Sequence, residues 1–276
     1  MGGIILESFR VYLKNISVMA PVLLSLLIIW GMGFPIGILS GIMRALKTPY
    51  IVISLLFGTI IGVLGLLFAS IADSAVALMT QKIITLGRSG SWEIAYRAAF
   101  KYLKSLLVVA LILHVINFSL VYLIPFLKDP VSFIKAISEV ESACPAYCPT
   151  CPPILIDVPY SRLISVVNSL IHFFLMPYPI MIVLGGFKVP DALRRSVYFI
   201  IRIFRNYPLA FLVLFLISLH GLLISPLIRV LMGVIRTAPL IIMLAGTLIL
   251  SFVPILIYVV IEPYAFLMLT MIYLRR

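Results

Sequence analysis

Residues 48–72 read TPYIVISLLFGTIIGVLGLLFASIA, twenty-five residues without a charge. A helix rises about 1.5 Å per residue, so this run extends about 37 Å and exceeds a hydrocarbon core of about 30 Å. It does not alternate polar with apolar, as the segments of about 10 residues in a membrane barrel do. It therefore reads as a transmembrane helix. Five further uncharged runs of comparable length occupy 15–43, 105–127, 163–187, 206–228 and 237–261. The expected fold is an all-α, polytopic membrane helix bundle with six transmembrane helices in a single integral domain over residues 1–276. Composition agrees: the 276 residues are 63% hydrophobic and 11% charged, against roughly 45–50% and about 25% in soluble domains. A water-soluble fold is excluded. The basic residues before position 15 resemble the start of a secretion signal, but the run that follows is much longer than a signal core of about 7–15 residues.

The charges between the runs set the expected orientation. One side collects Arg10 and Lys14; Lys82, Arg88, Arg97, Lys101 and Lys104; Lys188, Arg194, Arg195, Arg202 and Arg205; and Arg275 and Arg276. The other receives Arg44, Lys47, Lys128, Lys135, Arg162, Arg229 and Arg236, so the division is 14 to 7. The richer side is expected to be cytoplasmic, with both termini inside a cell membrane. The formal net charge of +12 is then mostly a property of the inner face. Anionic lipid headgroups account for it, and nucleic acid is not needed as a partner.

Three inner segments share a plan: an acid, then bases at helical spacing, then a span. In the second, Glu93, Arg97, Lys101 and Lys104 fall on one helix face, with Trp92, Tyr96, Ala99 and Leu103 as an apolar stripe and Ser91 placed to cap. The third sets Asp191, Arg194, Arg195, Arg202 and Arg205 against Leu193, Val197, Ile200 and Phe204, with Pro190 suited to a first helical position. The first sets Glu7, Arg10 and Lys14 against Ile5, Phe9, Tyr12 and Ile16. These read as interfacial amphipathic elbow helices. Arg97, Lys101, Lys104, Arg194, Arg195, Arg202 and Arg205 are the candidate contacts to lipid headgroups. Two spans follow each elbow, giving candidate units 1–86, 87–185 and 186–276 and a possible three-fold parallel repeat.

With GRSGSWEIAYRAAFKYLKS at 87–105 and GGFKVPDALRRSVYFIIRIFRN at 185–206 each preceding a span, the layout resembles six-span membrane families. These include the YciC-like proteins and the membrane domain attached to some glycerophosphodiester phosphodiesterases. The resemblance covers most of the chain in layout, through degenerate motifs, and implies a polytopic membrane protein. The soluble catalytic barrel of those phosphodiesterases is rich in acids, and no stretch of this sequence has that character. No functional residue is carried over.

The outer loop, 128–162, reads KDPVSFIKAISEVESACPAYCPTCPPILIDVPYSR. Asp129 before Pro130 signals a helix start, and Val131, Ile134, Ile137 and Val140 continue a short amphipathic helix. Cys144, Cys148 and Cys151 are each followed by proline, which excludes a helix there. In an oxidising compartment these thiols favour one disulfide and one thiol left over, available to a second subunit. A metal site is the alternative, although structural zinc needs a fourth ligand in most cases.

Polar residues inside the spans form a second candidate group, because an ionisable side chain at a helix centre costs about 2.5–3.5 kcal/mol to insert. Asp73 and Glu262 each close a 25-residue uncharged run. They are expected near the inner interface, solvated or paired with elbow arginines, with a functional site as the alternative. His172 lies roughly 14 Å into its span at helical rise, just before Met176, Pro177, Tyr178 and Pro179, which should kink or break the helix. His114, Asn117 and His220 complete the group. Neutral histidines bonded between helices are the ordinary outcome, and a proton or ligand role the rarer one. Gly33, Gly37 and Gly41 are spaced for close helix packing.

No phosphate-binding loop, zinc-protease motif, nucleophile elbow or dinucleotide fingerprint is present. Nine acids leave little material for paired-carboxylate chemistry. No cofactor is expected. The favoured function is a non-enzymatic accessory, assembly or lipid-organising role, with membrane lipids and a second copy or membrane partner as associates. The alternatives are a carrier lined by Asp73, His172 and Glu262, and a small intramembrane enzyme acting on lipid.

Overall fold

The structure is a computed structural model and describes residues 3–45, 50–132, 135, 161–219, 231 and 240–275. Its elements are helical throughout, and among the described residues there is no strand. The chain is an all-α polytopic membrane bundle. Among the described residues, five segments are long and apolar enough to cross a bilayer: Ile16–Gly33, Leu55–Leu86, Trp92–Lys128, Leu163–Val183 and Leu256–Leu274. Of the run at 206–228, an apolar helix over Pro208–Ser218 is described; residues 220–228 lie outside the described residues, as do Cys144, Cys148, Cys151 and His220.

The elbows and spans follow in order. Helix α1 (Gly3–Lys14) passes through a 3-10 turn at Ile16–Met19 into α2 (Ala20–Ala45), and α3 (Tyr50–Leu86) returns. Helix α4 (Trp92–Ala99) leads through a 3-10 turn at Phe100–Tyr102 into α5 (Leu103–Phe118). A π-helical turn at Ser119–Leu123 joins α5 to α6 (Ile124–Lys128). The cause of this widened turn is Pro125, whose ring would collide with the carbonyl four residues earlier in a regular helix. Asp129 then accepts a hydrogen bond from the Ser132 backbone N–H at 3.0 Å, so a helix does start at Pro130. Hydrogen bonds from the Ser132 side chain, and then from its backbone, hold the exposed Asp129 carboxyl below the usual carboxylate range.

Helix α7 (Ser161–Leu175) stops at a Met176–Pro177 turn and resumes as α8 (Tyr178–Val183), so the proline pair breaks the fourth span. Helix α9 (Val189–Asn206) is the third elbow. It ends at Tyr207, the non-helical residue that precedes Pro208 at the head of α10 (Pro208–Ser218), and α11 (Leu240–Leu274) closes the chain. Two spans turn into elbows through the same device. Gly87 and Gly186 adopt φ values of 72° and 66°, the left-handed region that glycine enters without a Cβ penalty. Their N–H groups bond the carbonyls of Ile83 and Ile182, as helix caps do.

The described contacts define two compact units. The first, Met1–Leu23, Ala72–Tyr102 and Ser169–Arg276, gathers all three elbows. Its core comes from the late part of α3 (Ala75, Val76, Met79, Thr80), from all of α8, and from Ala265 to Ile272 of α11. Phe173, 1% exposed, packs edge-on against Phe211 and Phe215 at centroid distances of 5.3 and 5.4 Å. Helix α1 is tied to α11 by the Tyr12 hydroxyl, which donates to the Val260 carbonyl at 2.8 Å, and by the Glu7–Arg275 ion pair. Burial pushes the Tyr12 phenol up to about 12.

The second unit is Leu24–Ile71 and Leu103–Asn168. Leu106, Val109, Ala110 and Leu113 of α5 are buried at the i, i+3, i+4, i+7 spacing of one helix face. Ser25 of α2 donates to the Phe68 carbonyl of α3 at 3.0 Å. The close approach in this unit occurs at Gly62, where a Cβ would stand 2.7 Å from His114 Nδ1. Gly33 faces open space within this chain, so the packing expected there from its spacing with Gly37 and Gly41 is not made by that residue.

Candidate functional site

The elbows divide into three sectors, where their sequence pattern shows two. On α9 the buried seam is Ala192, Ser196, Phe199, Ile200 and Ile203. Arg194, Arg195, Arg202 and Arg205 are exposed on another side. Between them Ile201 and Phe204 point outward, 50% and 59% exposed. The expected stripe of Leu193, Val197, Ile200 and Phe204 therefore lies mostly beside the seam, with Ile200 alone fully within it. Helix α1 repeats the pattern: Ile4, Ser8 and Tyr12 are buried, Phe9, Leu13 and Ile16 are exposed, and Arg10 and Lys14 are exposed. A helix in a membrane interface has two apolar surroundings, the protein and the acyl chains, and periodicity alone does not tell them apart. Ser8 and Ser196 are fully buried, and each donates to the carbonyl four residues earlier, at 2.7 and 2.8 Å. On α4, Ala95, Tyr96 and Ala99 are buried, while Arg97, Lys101 and Lys104 are exposed. Ser91 stands at the cap position in an extended conformation, but its side chain makes no capping bond.

A cavity of about 380 Å³ opens against α9. Arg194, Arg195, Arg202 and Asp191 line it, together with Met181, Phe187, Tyr198, Phe199 and Tyr273. The Arg195 guanidinium lies 4.0 Å from the centre of the Phe187 ring, and that of Arg194 lies 5.6 Å from the Tyr198 ring. Local backbone makes this possible: a Cβ on Gly185 would meet both the Met181 carbonyl and the Phe187 ring at 2.6 Å. Glycine at 185 lets Phe187 fold back as a floor for Arg195. Phe199 meets Tyr273 of α11 edge-on at 5.9 Å and forms the inner wall.

The intramembrane candidates separate. Asp73 is 7% exposed, and its Oδ1 has no hydrogen-bond partner. Glu262, half-buried on α11, falls within its electrostatic reach, and the Tyr258 phenol lies in the field of both carboxyls and of Tyr178. Asp73 is thus buried beside a second acid instead of solvated at an interface. Tyr258 precedes Glu262 by four residues on one helix, a pairing that sequence spacing displays, whereas only the fold brings Tyr178 and Asp73 into the same field. His172 is half-buried in the last turn of α7, before the break. His114 and Asn117 belong to the second unit; the His114 ring covers Gly62, and its Nε2 is buried without a partner. Asn168 Oδ1 in the same unit is likewise buried and unpartnered. Among the described residues, no group of three His, Cys, Asp or Glu is placed to hold a metal ion.

No protein-family model, no curated protein and no solved structure matches the chain.

Proposed function

We propose that this protein is a six-span, non-enzymatic membrane protein whose three basic elbows engage anionic phospholipid headgroups and organise lipid at the cytoplasmic face. The observation that carries the reading is the three-sector elbow. An outward apolar sector beside an exposed cationic one matches acyl chains below and phosphate groups above, and each base near an anionic surface contributes about 1 kcal/mol. A three-fold parallel repeat is part of the proposal. It is supported by the matching buried serines of α1 and α9 and by the matching glycine caps at Gly87 and Gly186. Thr80 and Thr270 add to it, each fully buried late in a span and bonded to the carbonyl four residues back.

The test is stability in vesicles of phosphatidylcholine alone and with phosphatidylglycerol added. The protein is expected to melt several degrees higher with the anionic lipid. High salt should weaken the difference, because exposed charges are screened over a Debye length of about 8–10 Å near physiological ionic strength. Replacing Arg97, Lys101 and Lys104 together with Arg194 and Arg205 by Gln should reduce it by more than half. Equal melting in both lipids contradicts the reading. A second reading, a carrier that handles protons or a small cation, is favoured by the Asp73–Glu262 pair alone.

A further inference from the structure

The cavity on α9 is more selective than a basic surface. Three guanidiniums and one carboxylate line it, so its charge favours an anion. Among the described residues, none of Arg194, Arg195 and Arg202 is held in an ion pair. Their donors are uncommitted. Two of them are oriented by aromatic rings, Arg195 by Phe187 and Arg194 by Tyr198, which lowers the ordering entropy of a planar fork that already matches phosphate oxygens. The volume of about 380 Å³ falls at the lower end of the range for small-ligand pockets, about 300–1,000 Å³, and exceeds what a bare ion fills. Phe187 and Phe199 make part of the wall apolar, and Asp191 offers an acceptor to a ligand that also carries a donor. The exposed Ile201 and Phe204 continue the same helix with apolar surface.

From these features we infer that the α9 cavity is a stoichiometric binding site for a phosphoryl group on a larger, partly apolar molecule. The fork donors of Arg195 and Arg202 hold the phosphoryl oxygens, and the aromatic wall holds the rest. The inference rests on the elbow reading only for the source of that group, a lipid headgroup or a soluble phosphate ester.

Binding to the full-length, delipidated protein in detergent tests it, with native mass spectrometry for stoichiometry and equilibrium titration for affinity. The probes are short-chain phosphatidylglycerol, short-chain phosphatidylcholine, glycerol 3-phosphate and inorganic phosphate. One phosphatidylglycerol is expected to bind per chain. Arg195→Gln with Arg202→Gln should weaken it about tenfold or more, as loss of charged hydrogen bonds does. Arg195→Lys with Arg202→Lys, which keeps the charge and loses the fork, should fall in between. Lys101→Gln with Lys104→Gln should change it little. These arginines are exposed, so an unaltered melting curve checks that the variants fold. Equal affinity of the wild type and the Arg195→Gln, Arg202→Gln variant overturns the site. Tight, saturable binding of glycerol 3-phosphate that the same variant abolishes keeps the site and assigns it a soluble ester. Many weak lipid sites, reduced equally by every elbow variant, overturn the cavity and leave the elbow reading standing. A single cavity-dependent lipid without any anionic preference in vesicles does the reverse.

Discussion

Phe173→Ala is expected to cost about 3–5 kcal/mol, the range for removing a large aromatic side chain from a close-packed core. The ring is 1% exposed and makes edge contacts with Phe211 and Phe215, which themselves stack at 6.0 Å. Thermal unfolding in detergent should show a large drop in Tm, while Ile201→Ala, 50% exposed, should change it little. Similar small drops for both variants would mean that Phe173 is not a core residue.

Asp73→Asn is expected to act in the opposite direction and raise stability by about 1–3 kcal/mol. A buried carboxyl with an unpartnered oxygen carries a penalty that hydrogen bonding does not offset. The amide keeps the volume and carries no ionisable proton. A higher Tm would mark Asp73 as a residue kept at a cost in stability, which is common for groups with a function. A lower Tm would show that the carboxylate holds the core together and would remove the main support for the carrier reading.

Much of the fold is legible in the sequence, because the bilayer imposes a length and a polarity that a sequence displays directly. The 48–72 run, the helix start at Asp129–Pro130 and the break at Pro177 all follow from local chemistry and are seen in the structure. The π-helical turn before Pro125 follows the same proline rule, but neighbouring apolar residues hide it. Side-chain environments are less legible. An apolar residue in a membrane protein is compatible with protein on one side and lipid on the other, so periodicity misplaced the seam of α9 and gave no sign that Gly62, and not Gly33, makes the close approach. The candidate site was half legible: the arginines announced themselves by charge. Their aromatic supports, Phe187, Tyr198 and Tyr273, come from a glycine turn and a distant span. The Asp73–Glu262 pairing joins residues far apart in the chain, which no local pattern encodes.

The lipid reading requires all elbows to lie at the same, inner face. Impermeant thiol labelling in intact cells tests this most directly, using Arg97→Cys and Arg202→Cys placed one at a time in a chain whose Cys144, Cys148 and Cys151 are replaced by Ser. Both elbow cysteines are predicted to stay unlabelled until the membrane is permeabilised and to label fully afterwards, while in a parallel sample of the unsubstituted chain, treated with reductant, the natural thiols of the 128–162 loop label from outside. Labelling of either elbow position in intact cells, or of the two from opposite sides, would contradict the account.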